Sequence, residues 1–304
     1  MFIITHRKIF FTLSAVLILG SILVMFLYGF TLGIDFKGGS SLEVSYANAR
    51  PSLEDIKGGL DQLNLGTYVL TPSGDSRYIL KMRDITPKEK SDVLAIFSPV
   101  TVTDGVMTIN VGKEESFNSI GPTVGTQLKN KALIAILIVI ICIVLFITFA
   151  FRKVSVPVAS WKYGLATIIA LAHDVVIPTG VFILWSHFHG GEIDLLFVTA
   201  LLAILGYSVH DTIVVFDRVR ENLRNAGNKQ MFEQTVGVSV TQTFGRSINT
   251  SLTIFLALIA LYFIGGSSTK DFAFVLLIGV IAGTYSSIFV ASPLLVTLEK
   301  MQKK

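Results

Sequence analysis

Gly206-Tyr-Ser-Val-His-Asp-Thr-Ile-Val-Val-Phe-Asp-Arg-Val-Arg-Glu-Asn222 places an acid, Asp211, inside a run that otherwise reads as a membrane-spanning helix. A carboxylate near the bilayer centre costs at least a few kcal/mol, so it faces a protein interior or a water path and has a partner. The surrounding chain supports the membrane reading. Of its 304 residues 52% are hydrophobic and only 15% charged, outside the range of soluble domains. Six apolar runs are long enough to cross a bilayer: Ile9 to Phe30, Ala132 to Phe151, Tyr163 to Trp185, Ile193 to Phe216, Asn249 to Ile264 and Phe272 to Thr297. The first follows His6-Arg7-Lys8 like a secretory signal. It is too long for one, and no small-x-small cleavage site follows, so it reads as a retained anchor.

Charge orients the chain. Outside residues 31–131 there are fourteen Lys and Arg, and six-span threading puts thirteen on one side: Arg7, Lys8, Arg152, Lys153, Lys162, Arg218, Arg220, Arg224, Lys229, Arg246, Lys300, Lys303 and Lys304. Only Lys270 lies opposite. Cytoplasmic flanks accumulate Lys and Arg, so both termini are expected in the cytoplasm and residues 31–131 outside it. The net charge of +4 is therefore a topology signal and not a nucleic-acid footprint. The single cysteine, Cys142, lies in an apolar run and excludes an intramolecular disulfide.

Three parts are expected: residues 1–30, an N-terminal cytoplasmic segment and first span; residues 31–131, an extracytoplasmic domain; and residues 132–304, a five-helix bundle with cytoplasmic loops. The middle part holds eleven basic and twelve acidic side chains, enough chain for one small folded unit. Ser41 to Tyr46 alternates as a strand, and Leu53, Ile56, Leu60 and Leu63 follow Pro51-Ser52 at helical spacing. Tyr68 to Thr71 and Arg77 to Met82 flank the turn Pro72-Ser-Gly-Asp75, Thr86-Pro87 starts a second helix through Ile96, and Val106 to Val111 reads as the last strand. That order, β-α-β-β-α-β, is the ferredoxin-like arrangement. Gly33 to Gly39 reads as a tight exit turn with Asp35 and Lys37 at the membrane surface.

A helix rises about 1.5 Å per residue, so depth tells which groups can meet. Asp211 is eighteen residues from Ile193 and Arg246 eighteen from Ile264, which puts both at one depth and predicts an ion pair. His173 and Asp174 lie twelve and eleven residues from Trp185, near the midplane. His210 adjoins Asp211 but sits about 100° around the helix. Two readings of these residues are open. They form a proton or ion relay, with Asp211 and Asp174 titrating, Arg246 as countercharge and His173 and His210 assisting, or a polar cluster that fixes helix packing. Asp217 and Arg218 read as interfacial anchors, and Gly279 with Gly283, like Gly121 with Gly125, as close-packing positions. There is no phosphate loop, dinucleotide fingerprint or zinc spacing, and nothing points to an enzyme, a cofactor or a metal.

Gly33-Ile-Asp-Phe-Lys-Gly-Gly39, Ala172-His-Asp-Val175, the Gly206 to Asn222 stretch, Arg246-Ser-Ile-Asn-Thr-Ser-Leu252 and Gly283-Thr-Tyr-Ser-Ser-Ile-Phe289, in this order and spacing, resemble the SecF family of protein-export membrane proteins. The resemblance spans the chain. It implies a six-helix half of the resistance-nodulation-division superfamily with an extracytoplasmic ferredoxin-like domain, in the bacterial plasma membrane. It implies SecD as partner, preproteins as cargo, and proton-motive force assisting the SecYEG channel and SecA, with sodium as the alternative ion. By it the proton-pathway acid and arginine fall on Asp211 and Arg246. The family usually has Asn before that acid, where this chain has His210, which adds a titrating group or keeps a hydrogen bond. Two rival functions fit the same relay or none: half of a small-solute or lipid exporter of that superfamily, or a non-transporting scaffold of the translocase.

Overall fold

A computed structural model of the chain describes residues 2–47, 49–98, 100–103, 106–152, 159–226 and 230–302, with only the backbone described at 100–103, 106–109, 226, 267, 268 and 302. Four of the expected cytoplasmic cations, Lys153, Lys229, Lys303 and Lys304, lie outside the described residues. The chain forms two compact units. One comprises Leu32–Leu133 with Glu192–Leu195, the other Met1–Thr31, Ile134–Gly191 and Leu196–Lys304.

The smaller unit is built on a four-stranded antiparallel sheet. Strands β1 (Gly39–Ser45), β2 (Val69–Ser73), β3 (Arg77–Met82) and β6 (Lys113–Ile120) lie in the order β2-β3-β1-β6. Helices α4 (Leu53–Leu60) and α5 (Pro87–Ile96) connect them in the β-α-β-β-α-β sense. Alternation along β1 buries Leu42 and Val44 and leaves Ser41, Glu43 and Ser45 on the other face. With Ile56, Leu60, Tyr78, Leu80, Val93 and Phe97 they make the core, into which Tyr46 donates its hydroxyl to the Phe97 carbonyl at 2.9 Å. Capping starts both helices. Ser52 accepts from the Asp55 amide, and Thr86 with Glu89 forms a reciprocal capping box behind Pro87.

The last strand corrects the sequence reading. Val106 to Val111 was expected to complete the sheet, but β5 (Val106–Ile109) pairs with β4 (Val100–Thr103) in a separate two-stranded hairpin. The edge position goes to Lys113–Ile120, whose charged, exposed side chains carry no apolar alternation and so read as loop.

The exit turn holds a single helical turn, α3 (Ile34–Lys37), followed by two glycines at φ 81° and 133°. A Cβ on Gly38 would lie 2.7 Å from Pro122 Cα, and one on Gly39 2.6 Å from the Met82 carbonyl, so both backbone shape and space demand glycine here. Within the same unit the turn is clipped to the Glu192–Leu195 segment. The Gly33 amide donates to Ile193, Asp35 accepts from the Leu195 amide at 2.8 Å, and Lys81 pairs with Glu192 at 2.9 Å.

Among the described residues, six helices are long and apolar enough to span a membrane: α2 (Arg7–Tyr28), preceded by the short α1 (Phe2–Thr5); α6 (Pro122–Ala150); α7 (Ser160–His189); α8 (Leu195–Ala226); α9 (Phe232–Ile264); and the sixth, α10 (Ser267–Ser286), continued through a π-turn (Ser287–Ala291) into α11 (Ser292–Gln302). The six expected spans are all present. Helix α9 begins well before Asn249, and in that stretch hydroxyls bond back to their own helix: Ser239 donates to Thr235, Thr241 to Gly237 and Thr243 to Ser239. Helix α2 packs on α7, and α10 contacts both α7 and α9. Glu233 at the start of α9 takes Arg7 on one oxygen at 2.9 Å and Lys300 on the other at 2.5 Å, tying three ends of the bundle together.

Candidate functional site

Helix α7 delivers His173 and Asp174 into the bundle, both essentially without solvent exposure. Pro178 stands four residues on and cannot donate to the Asp174 carbonyl, so the acid sits at a weakened turn. Its carboxylate is fully engaged. His173 Nδ1 lies 2.8 Å from Oδ1, and Ser286 at 2.7 Å and Ser208 both donate to Oδ2. No Lys or Arg joins them among the described residues. The charge is held by hydroxyl dipoles and by an imidazole whose Nε2 has no hydrogen-bond partner. The His173 ring stacks on Tyr285 at 5.8 Å between centroids.

Helix α8 places Asp211 one turn beyond Ser208, also buried. Here the structure differs from the expected ion pair. Ser247 Oγ, from α9, donates to Asp211 Oδ1 at 2.6 Å, while Oδ2 has no hydrogen-bond partner. Arg246 is exposed and, among the described residues, forms no ion pair. Asp211 does meet α9, but at the residue next to Arg246. Adjacent residues on a helix point about 100° apart, so when Ser247 faces the acid Arg246 faces outward. His210 is likewise exposed, as its angular offset from Asp211 requires. Asp217 and Arg218 stay outside the cluster, in side-chain pairs with Arg220, Glu221 and Gln242.

Between the two acids lie hydroxyls that the sequence reading missed. Thr212, beside Asp211, meets Ser287 at 2.9 Å, and Ser287 Oγ reaches the Ser208 carbonyl at 3.4 Å. On the other side Ser251 donates to the Ser247 carbonyl and meets both Tyr207 and Thr284 at 2.6 Å. The sequence signal was present in the i, i+4 pairs Ser208 with Thr212 and Ser247 with Ser251, which recur on one helical face inside apolar spans. Close packing makes the contacts possible. A Cβ on Gly283 would stand 3.0 Å from Ser208 Cβ, so the small residue at this position lets α8 and α10 approach. The described residues hold no cluster of His, Cys, Asp and Glu with metal-binding geometry.

Fold and site together define a multi-pass membrane protein that carries a small antiparallel α/β unit and keeps two carboxylates buried among hydroxyls in its helical bundle. The family model for the C-terminal part of SecD/SecF protein export membrane proteins matches residues 102–301, and that for the SecD/SecF GG motif matches residues 23–49. Protein translocase subunit SecF of Thermobaculum terrenum is 42% identical over 98% of this chain and 93% of its own length. That of Anaerolinea thermophila is 36% identical over 98% and 94%. Among solved structures, SecDF from Thermus thermophilus is similar with a TM-score of 0.80 at 29% identity, and SecDF in its super-membrane-facing form with 0.64 at 30%. In each case 98% of this chain is covered but only 38% of the longer SecDF chain. The chain belongs to the SecD/SecF family of protein export membrane proteins.

Proposed function

We propose that this chain is the SecF-type subunit of a bacterial translocase and that Asp211 is the group through which proton movement is coupled to protein export. Its place in protein translocation with SecD follows from family membership. The proton role rests on one observation: a carboxylate buried in a membrane helix, hydrogen-bonded through one oxygen and open at the other. Such a group is costly as a permanent anion and has a free position for a proton. Asp174 and His173 belong to the same pathway. Arg246 and His210 act from the adjoining exposed surface, with Arg246 supplying the countercharge.

In this reading residues 31–131 lie outside the cytoplasm and both termini inside, an orientation that the distribution of Lys and Arg supports. Protons crossing the plasma membrane release about 2.3 kcal/mol per charge per 100 mV. That energy biases the subunit between conformations and helps preproteins leave the SecYEG channel after SecA has driven them in. Sodium is the alternative coupling ion. The chain contributes no enzymatic step of its own.

Asp211→Asn tests the proposal. The variant should fold, insert and assemble with SecD while losing at least tenfold of the export that depends on the proton gradient. Measured in membrane vesicles with and without that gradient, undiminished gradient-dependent export would refute proton coupling at Asp211 and favour a scaffold role.

A further inference from the structure

Ser286 and Ser287 are consecutive residues at the point where regular helix gives way to the π-turn Ser287–Ala291, and both are fully buried. Their hydroxyls serve different acids. Ser286 donates to Asp174 Oδ2 at 2.7 Å. Ser287 meets Thr212 at 2.9 Å and lies beside the Asp211 carboxylate. Ser208 closes a ring between them, because its hydroxyl donates to Asp174 while its carbonyl accepts from Ser287 at 3.4 Å. The open positions of the network are at its two ends: His173 Nε2 beside Asp174, and Oδ2 of Asp211.

We propose that Ser286 and Ser287 are positioning residues that make proton binding at Asp174 and at Asp211 depend on each other. This rests on the reading above that these acids take up protons. The proton arrives at His173 Nε2 as the Nδ1 proton passes to Asp174 Oδ1, so the imidazole ends neutral with its tautomer reversed and the carboxylate becomes a carboxyl. A neutral carboxyl is a much weaker acceptor than a carboxylate, since charge-assisted hydrogen bonds are roughly twice as strong as neutral ones. Ser286 already shares its proton with the Gly283 carbonyl, 3.1 Å from its hydroxyl, which also accepts from Ser287 Oγ at 2.9 Å. Once Ser286 turns to it, the tie between α10 and α7 is released. Ser287, one residue on in the same π-turn, shifts with it and alters the hydroxyls around Asp211. π-turns interrupt the helical hydrogen-bond ladder and occur often at functional sites. Pro178 weakens α7 at the facing turn in the same way.

The titratable and charged groups near the pair are His173 and Tyr285 at Asp174, and, around Asp211, Tyr207 through Ser251 together with the outward-facing His210 and Arg246. The experiment is an infrared pH titration of the protein with its partner subunit in lipid, following the carboxyl C=O bands. Asp174→Asn and Asp211→Asn each remove one band and so assign both. Asp174→Asn should displace the Asp211 midpoint by about one pH unit, a tenfold change in proton affinity. In the Ser286→Ala, Ser287→Ala background that displacement should vanish, and Ser286→Thr should restore it. If the double variant does not assemble with its partner, Ser286→Ala alone is read in the same way. A displacement of equal size in the Ala background, or none in the parent protein, overturns the coupling. Absence of both aspartate bands at every pH overturns the proton reading itself, a separable result.

Discussion

At Asp211 the decisive fact is the asymmetry between its two oxygens. Oδ1 has the Ser247 hydroxyl at 2.6 Å and Oδ2 has no hydrogen-bond partner, so the site stabilises a negative charge only in part. A hydrogen bond to a charged group contributes about 1.5–3 kcal/mol when buried. Ser247→Ala should therefore leave the ionised acid without its direct donor and reduce gradient-dependent export by about tenfold or more. Ser247→Thr, which keeps the hydroxyl, should stay within about threefold of the parent. Export assays in vesicles at a fixed gradient check both. A Ser247→Ala protein with parental export would show that this hydroxyl is only packing. Arg246 is a residue-scale lesson of another kind. Its depth was legible from sequence, but its direction was not, because counting residues gives height along an axis and not azimuth around it. Only the neighbouring helices settle which of two adjacent side chains points inward.

Among the elements, α5 has the most explicit sequence-level specification, with Thr86, Pro87 and Glu89 in a capping box. The Glu89 carboxyl is held down at about 2, first by its hydrogen bond with Arg83 and then by the Thr86 amide and hydroxyl. Its folded value thus lies below the ordinary 4.5, so the cap stabilises the α/β unit fully above that pH. This contribution is lost as pH falls from about 4.5 toward 2. Glu89→Gln should flatten the acid dependence in that window, read as thermal unfolding of the α/β unit by hydrogen exchange at pH 6 and pH 3. An unchanged difference between the two pH values would remove Glu89 from the account. Local signals of this kind made α4, α5, β1 and β3 legible, since caps, prolines and alternation act over a few residues. Strand β6 was not legible, because an edge strand exposed along its length leaves no apolar pattern. The hydroxyl network failed for the opposite reason. Ser208, Ser247, Ser286 and Ser287 each reach a carbonyl or acid on another helix, and such contacts depend on glycine-permitted approaches such as Gly283 with Ser208.

On the scale of the whole molecule, the bundle leaves a polar surface without cover. His210 on α8 and Arg246, Asn249 and Thr250 on α9 are all exposed inside helices of membrane length. An arginine against hydrocarbon costs a few kcal/mol on insertion scales, and uncovered polar side chains add to that. A surface of this composition is stable only against water or another protein, and the SecDF chain that this one resembles is much longer, with only 38% of it covered. The expected occupant is therefore a SecD membrane helix that presents a carboxylate or amide to Arg246. With the exposed Cys142 first replaced by Ser, Asn249→Cys should form disulfide cross-links to single cysteines along one face of one SecD helix. Breaking a buried charge pair by removing one partner costs about 3–5 kcal/mol. Arg246→Ala should accordingly cut gradient-dependent export by at least tenfold and weaken co-purification with SecD, and Arg246→Lys should recover part of both. Cross-links scattered over several helices, or an Arg246→Ala protein with parental export and assembly, would mean that the polar face of α9 meets water and that the countercharge to Asp211 comes from elsewhere.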